Sequence, residues 1–224
     1  MGLDVAPLKQ TALGERVADE LRRLIVTGGL GADVHLVKAD LSKDFGVSRG
    51  PIRDALRKLE NEGLVETRQR GTHVVGFSDA DIEELFSLRA TLESFALRLC
   101  AGREGLEWSA FDEPLARMQR AADVGDAAAF AVADLAFHSL FYELAGHRRL
   151  AAIWRDHEPT FHTLVSLTTS RDDDLHPSAD SHAQILQDLR AGSTDVALRD
   201  LESHLEGSSR RLREARAEAA ELAR

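Results

Sequence analysis

The sequence predicts a mainly α protein in two parts: an N-terminal winged helix-turn-helix over residues 1–77 and a C-terminal all-α antiparallel helical bundle over residues 78–224. Three observations carry this. Residues 12–76 run helix, helix, turn, helix, hairpin, the order of a winged head. From residue 79 onward helical periodicity dominates and no further strand signal occurs. Charge divides at the same place: residues 1–76 hold 12 Lys+Arg against 11 Asp+Glu, whereas residues 77–224 hold 16 against 27. The net charge of −10 therefore belongs to the second part, and the two parts are expected to meet different partners.

The elements follow in order. "ALGERVADELRRLIVTG" at 12–28 puts Leu13, Val17, Leu21, Leu24 and Ile25 on one helical face, and Gly28 and Gly29 stop it. A loop, "GLGADVHLV", leads to a short helix at about 38–45 that Gly46 closes. Ser48 is suited to cap the third helix through its hydroxyl. Pro51 lies in the first turn, Ile52, Ala55, Leu56 and Leu59 form the buried stripe, and Gly63 ends the helix. "LVETRQRGTHVVGF" reads as a hairpin, with Gly71 available for a positive φ. Six helices are expected beyond it, at about 79–101, 108–122, 126–145, 148–169, 178–191 and 194–221. "SDAD" at 78–81 marks an N-cap with acidic residues in the first turn, Pro159 is expected to kink its helix, and the end "RRLREARAEAAELAR" to fray.

Composition sets outer bounds. With 43% hydrophobic and 29% charged residues, the 224-residue chain has the make-up of a soluble globular protein. No run is expected to cross a membrane, because Asp, Glu, Lys or Arg interrupts each apolar stretch. "MGLDVAPLKQ" lacks the apolar centre of a signal peptide. Cys100 is the only cysteine, which excludes an internal disulfide and a cysteine-based zinc cluster. A cytoplasmic protein is expected.

Two constellations carry chemistry. Arg49, Arg53 and Arg57 are spaced i, i+4, i+8 on the side of the third helix opposite its apolar stripe. A helix that follows a tight turn and carries Arg near its N-terminus can enter the major groove of DNA. There a guanidinium can bond the O6 and N7 of guanine. Ser48 and the first backbone N–H groups can hold a phosphate. Gly71 at the hairpin tip lets the backbone approach DNA, with Arg68 and Arg70 beside it. A charge run alone is usually a solvated face; the adjoining turn and basic hairpin favour DNA.

The second constellation lies on apolar faces. The helix at 79–101 reads Ile82, Leu85, Phe86, Arg89, Leu92, Phe95/Ala96, Leu99, so Arg89 interrupts a buried stripe. Either Glu93, one turn on, pairs with it, or a ligand carboxylate does. The helix at 126–145 brings Asp134 and His138 inward together. His182 is in register with Ile185, Leu186 and Leu189, and His204 adjoins Leu201 and Leu205. A lone inward His is usually a hydrogen-bonded core residue. Three imidazoles and one carboxylate suit a divalent transition metal, zinc first, with nickel or manganese as alternatives.

"LRRLIVTGGL", "LSKDFGVSRGPIRDALRKLENEGLV" and "RGTHVV" resemble the N-terminal domain of the GntR family of bacterial transcription regulators over about residues 12–76. That resemblance implies DNA contacts at Ser48, Arg49 and Arg53, with Gly71 at the wing tip. Gly50 replaces a common Thr, and Ala39 stands where some members carry a DNA-contacting Arg, beside Lys38. Lys38, Ser48, Arg49, Gly50, Arg53, Arg70 and Gly71 are therefore the expected DNA-binding set. Residues 79–215 resemble the FCD ligand-binding domain of the FadR-like branch, through "DLAFH" at 134–138, the His of "SHAQIL" and the His of "ESHL". Metal-binding members of that branch use the positions of Asp134, His138, His182 and His204. Arg89, in "LRATLE", lies at their effector cavity.

The function expected is an effector-controlled transcription regulator, a repressor in sign. It would be a homodimer on a palindromic double-stranded operator, answering to a small carboxylate at its metal site. A metal-dependent hydrolase with a DNA-binding head is a second reading, although no residue stands out as its general base. A regulator for which the metal itself is the signal is a third.

Overall fold

Val17, Ala18, Leu21 and Ile25 recur one helical turn apart on α1 (Gln10–Val26) and are all buried. They meet Ile52, Ala55, Leu56 and Leu59 of α3 (Arg49–Asn61), with the short α2 (Lys38–Asp44) between the two in sequence. This is a computed structural model, and it describes residues 10–222. The segment expected to lack a signal sequence, residues 1–9 above all, lies outside the described residues, as do the last two residues of the Ala/Glu/Arg-rich end. The chain divides between Phe77 and Ser78 into two units.

Among the described residues of the first unit, three strands form one sheet: β1 (His35–Leu36), β2 (Val65–Arg68) and β3 (Gly71–Val74), in the order β1-β3-β2. The hairpin pairs Val65 with Val74 and Arg68 with Gly71; β1 pairs His35 with His73 on the other side of β3. The loop expected at "GLGADVHLV" thus contains a strand. Two paired residues are too few to show the alternation by which a strand is recognised.

Three further details depart from expectation. Leu13 is exposed, and the place it was given in the core goes to Ala18 and Arg22. Arg22, 2% exposed, donates from Nε and one Nη to Glu62, at 2.6 and 2.7 Å, which ties α1 to the end of α3. Ser48 holds the cap position of α3 but makes no side-chain capping bond. The third helical residue is Pro51, which has no N–H to offer the serine hydroxyl.

Among the described residues, the second unit is a bundle of six α-helices. They are α4 (Asp79–Ala101), α5 (Asp112–Val124), α6 (Ala127–Leu144), α7 (Arg148–Thr169), α8 (His176–Arg190) and α9 (Thr194–Leu222). A 3-10 turn at Trp108–Phe111 precedes α5, where a single helix from 108 was expected. Ser78 and Asp81 close α4 with a reciprocal capping box, as "SDAD" suggested. Phe111, Phe137 and Phe141 pack ring to ring at 4.6–5.6 Å at the centre. Each such ring contributes about 1.5–3 kcal/mol by leaving water.

The buried face of α4 runs Ile82, Phe86, Arg89, Glu93, Ala96, Leu97, Cys100 rather than through Phe95, which is exposed. The apolar stripe of the sequence follows the largest side chains; the helix turns Glu93 inward instead, where it pairs with Arg89. α6 corrects a second expectation, since by length and composition it is apolar enough to cross a membrane. Eight of its side chains are buried within the protein, among them Asp134 and His138, which makes it the core helix of this bundle.

Candidate functional site

Asp134 and His138 lie one turn apart on α6, His182 is carried by α8 and His204 by α9. Each offers one ligand atom, and the four atoms all lie within 4.8 Å of one another. His138 Nε2 is 3.1 Å from His182 Nε2, which is itself 3.1 Å from Asp134 Oδ1. The four residues expected from sequence to share a metal are thus brought together.

The outer nitrogens explain why the rings point this way. His182 Nδ1 lies 2.6 Å from the Ser178 carbonyl, an acceptor, so Nδ1 carries the proton and Nε2 faces inward. His204 Nδ1 lies 3.2 Å from Ser181 Oγ. His138 Nδ1 is 2.9 Å from Glu93 Oε1, close enough for charge to act although not aligned for a hydrogen bond. Two unprotonated imidazole Nε2 atoms and a carboxylate at such distances repel, and a hydrogen or a cation placed among them relieves this.

Burial sharpens this. His138 and His204 are held below the ordinary imidazole range, chiefly because charging them would cost desolvation. Neutral imidazole is the form that binds a metal. Burial alone would raise the Asp134 carboxyl, but the His182 contact and the charges around it hold it below its ordinary value. Asp134 Oδ2 is buried and has no hydrogen-bond partner. A donor set of three imidazole nitrogens and one carboxylate, pre-oriented by outer partners, fits a divalent transition ion.

Arg89 adjoins this cage. Its Nε lies 3.3 Å from Glu93 Oε1, the ion pair that sequence offered as one of two alternatives. Its guanidinium sits 5.1 Å from the Phe161 ring centroid and 5.9 Å from that of Trp154. Arg89 Nη2, Glu93 Oε2 and the Tyr142 hydroxyl are all buried without hydrogen-bond partners. So Arg89 is paired through one nitrogen and has another to spare. Burial would push the Glu93 carboxyl up, yet Arg89 and His138 hold it below its usual range. Burial, with the Glu93 charge, pushes the Tyr142 phenol well up.

Sequence reasoning took Glu93 only as a partner for Arg89 and missed its approach to His138. It also missed Tyr142 and the Ser178 and Ser181 groups behind the rings. Tyr142 left a signal: Asp134, His138 and Tyr142 are spaced i, i+4, i+8 on one face of α6.

In the first unit, α3 presents Arg49, Arg53 and Arg57 to solvent on the face away from its buried stripe. Among the described residues Arg49, Arg57 and Arg70 make no ion pair, and Arg53 makes only a 3.9 Å contact with Asp54. Lys38 begins α2 and is exposed, as is Ser48. At Gly50 an added Cβ would meet nothing nearer than Ser48 Oγ at 3.9 Å, so the fold does not require glycine there. Gly71 is required: its φ is 123°, and an added Cβ would lie 2.4 Å from His35 Nε2. Arg68, beside it in the hairpin, is tied to Asp33 and Glu66. Arg70 is the free cation of the turn among the described residues.

Comparison with known proteins follows the two units. Residues 13–75 match the model of bacterial regulatory proteins of the gntR family, and residues 84–207 match the FCD domain. The gluconate operon transcriptional repressor of Bacillus licheniformis is 26% identical over 206 residues, covering 89% of this chain and 84% of that protein. Among solved structures, a GntR transcriptional regulator from Rhodococcus sp. RHA1 is 25% identical with a TM-score of 0.63, over 90% of this chain and 98% of that one. McbR/YncC of E. coli, 18% identical with a TM-score of 0.68 over 90% and 97%, shares the fold.

Proposed function

Because the chain belongs to the gntR family of bacterial transcription regulators and carries an FCD domain, we propose that it is a cytoplasmic repressor whose hold on a palindromic operator is set by a small carboxylate. That acid binds beside a divalent metal in the second unit. The matched proteins are transcriptional regulators, which sets aside the hydrolase reading. The exposed Arg49, Arg53, Arg57 and Arg70 support DNA contact, with Ser48, Gly50, Lys38 and Gly71 close to the backbone. A homodimer follows from the two-fold symmetry of a palindromic site.

One observation carries the effector reading: four ligand atoms from three helices lie within 4.8 Å of one another. Asp134, His138, His182 and His204 would hold the ion, which supplies a Lewis acid for a carboxylate oxygen. Arg89 supplies the matching donor from its spare nitrogen. The ligand changes operator affinity only by binding one state of the dimer better than the other.

The test is a fluorescence-anisotropy titration of full-length, metal-loaded protein on a duplex selected from random sequence, with and without a panel of small acids. An acid that weakens binding to the selected duplex supports the reading. Affinity that follows metal and ignores every acid would favour the metal-sensor alternative.

A further inference from the structure

The four cage residues are not equally enclosed. Asp134, His138 and His182 are buried, whereas His204 is only part-buried. Its ring lines a cavity of about 360 Å³ between α8 and α9. The exposed Pro177, Gln184, Ser203 and Arg210 line the same cavity, so it opens to solvent. His204 is also the ring held most loosely from behind. His182 Nδ1 has the Ser178 carbonyl at 2.6 Å and His138 Nδ1 the Glu93 carboxylate at 2.9 Å, whereas His204 Nδ1 has the Ser181 hydroxyl at 3.2 Å. A serine hydroxyl rotates and can release the ring at little cost.

Gly207 leaves room at the same place. It is buried within α9, three residues after His204, and lines the same cavity. Residues three apart on a helix are neighbours, and a helical side chain lies over the turn before its own Cα. A side chain at 207 would therefore lie over His204. The fold does not require its absence: an added Cβ meets nothing nearer than Arg211 Nη1, at 3.5 Å. A glycine inside a helix costs about 0.5–1 kcal/mol relative to alanine. Here it keeps clear the flank of the ring that faces outward.

We propose that the cavity between α8 and α9 is the path by which the metal ion enters and leaves the cage, and that His204 is its gate. This rests on the metal reading above. Asp134, His138 and His182 stay in place as three buried donors. His204, on its loose Ser181 contact, turns into the space beside Gly207 and closes again behind the ion. Such a path sets how fast metal exchanges without setting how tightly it is held, because an obstacle on it slows entry and exit by the same factor.

The experiment mixes full-length, zinc-loaded protein with excess chromogenic chelator and follows zinc release by absorbance; mixing metal-free protein with zinc measures uptake. Gly207→Leu, which covers His204 without replacing a ligand, should slow release and uptake alike by about tenfold. Its zinc content by elemental analysis and its equilibrium affinity for zinc should stay at wild-type values. Ala152→Leu, in the larger cavity between α6 and α7 that none of the four ligand residues lines, should change neither rate. Wild-type rates in a folded, zinc-loaded Gly207→Leu protein, or a slowing in Ala152→Leu instead, would overturn the path and leave the metal reading intact. So would release slowed without uptake, which would mean that the substitution acts on how tightly the ion is held. If Gly207→Leu does not fold, Gly207→Ala, which raises helix propensity, should slow both rates by a common factor; wild-type rates in it would overturn the gate. A wild type that takes up no zinc would overturn the metal reading and the path together.

Discussion

His138 Nε2 and His182 Nε2 face each other at 3.1 Å, although 44 residues separate them in the chain. With Ser178 behind His182 and Glu93 behind His138, both rings turn their inner nitrogens to the same point as Asp134. A metal cation at that point would be held by all of these lone pairs at once. Stripping metal with a chelator should therefore lower the melting temperature, and zinc should restore it. At free metal a thousandfold above its dissociation constant the stabilisation is about 4 kcal/mol. A chelator-insensitive melting temperature in protein shown to contain metal would contradict this.

Acid should act in a predictable direction. Burial lowers the folded-state pKa of His138 and His204, so the folded protein takes up protons less readily than the unfolded chain. Stability of the metal-free protein is then full above the unfolded imidazole value of about 6.5 and falls as pH drops below it. Denaturant midpoints measured from pH 8 to pH 5 in chelator should decline towards acid. Substituting both histidines by Gln should flatten the decline.

Arg22 and Glu62 give a test of the first unit. Glu62→Ala would leave the buried Arg22 with Asp19, whose side chain is 65% exposed. Breaking a buried ion pair by removing one partner costs about 3–5 kcal/mol. Urea unfolding should show a loss of that order, and replacing both residues by Met and Leu should recover much of it. A loss in Glu62→Ala no larger than for an exposed Glu would show that the pair contributes little.

On the DNA side, Arg49→Ala should cost about 1–3 kcal/mol in binding to a selected duplex and relax its sequence preference, with the circular dichroism spectrum unchanged. Arg70→Ala should weaken binding to all sequences alike and flatten the dependence on salt, because a phosphate contact releases counterions. Equal affinity and an unchanged footprint for Arg49→Ala would take it off the recognition surface.

Gly71→Ala tests the wing. A φ of 123° disfavours any L side chain, and the new methyl would press on the His35 ring. The substitution should weaken DNA binding while leaving the melting of the second unit unchanged. Wild-type affinity would show that the wing is dispensable.

Much of this was legible in the sequence, and the reasons differ by element. The helices of the second unit were found because their inward residues recur at helical spacing. The Asp134–His138 pair was found because i, i+4 polar residues interrupt that stripe. His182 and His204 were found for the same reason, each on its own helix. That the four converge is a tertiary fact, which periodicity can suggest and cannot contain. β1 was missed because it is two residues long and defined by its partner β3. Arg22 was missed because its neutralising Glu62 lies 40 positions away. Glu93 was half read: its i, i+4 relation to Arg89 is in the sequence, whereas its 2.9 Å approach to His138 crosses from α4 to α6.

The most direct test is the metal content of the protein purified without chelator, by elemental analysis, beside the His138→Ala/His204→Ala variant. One divalent ion per chain in the wild type, absent from a folded double variant, is the expected result. A wild type free of metal that takes up none on dialysis against zinc, nickel or manganese would contradict the account.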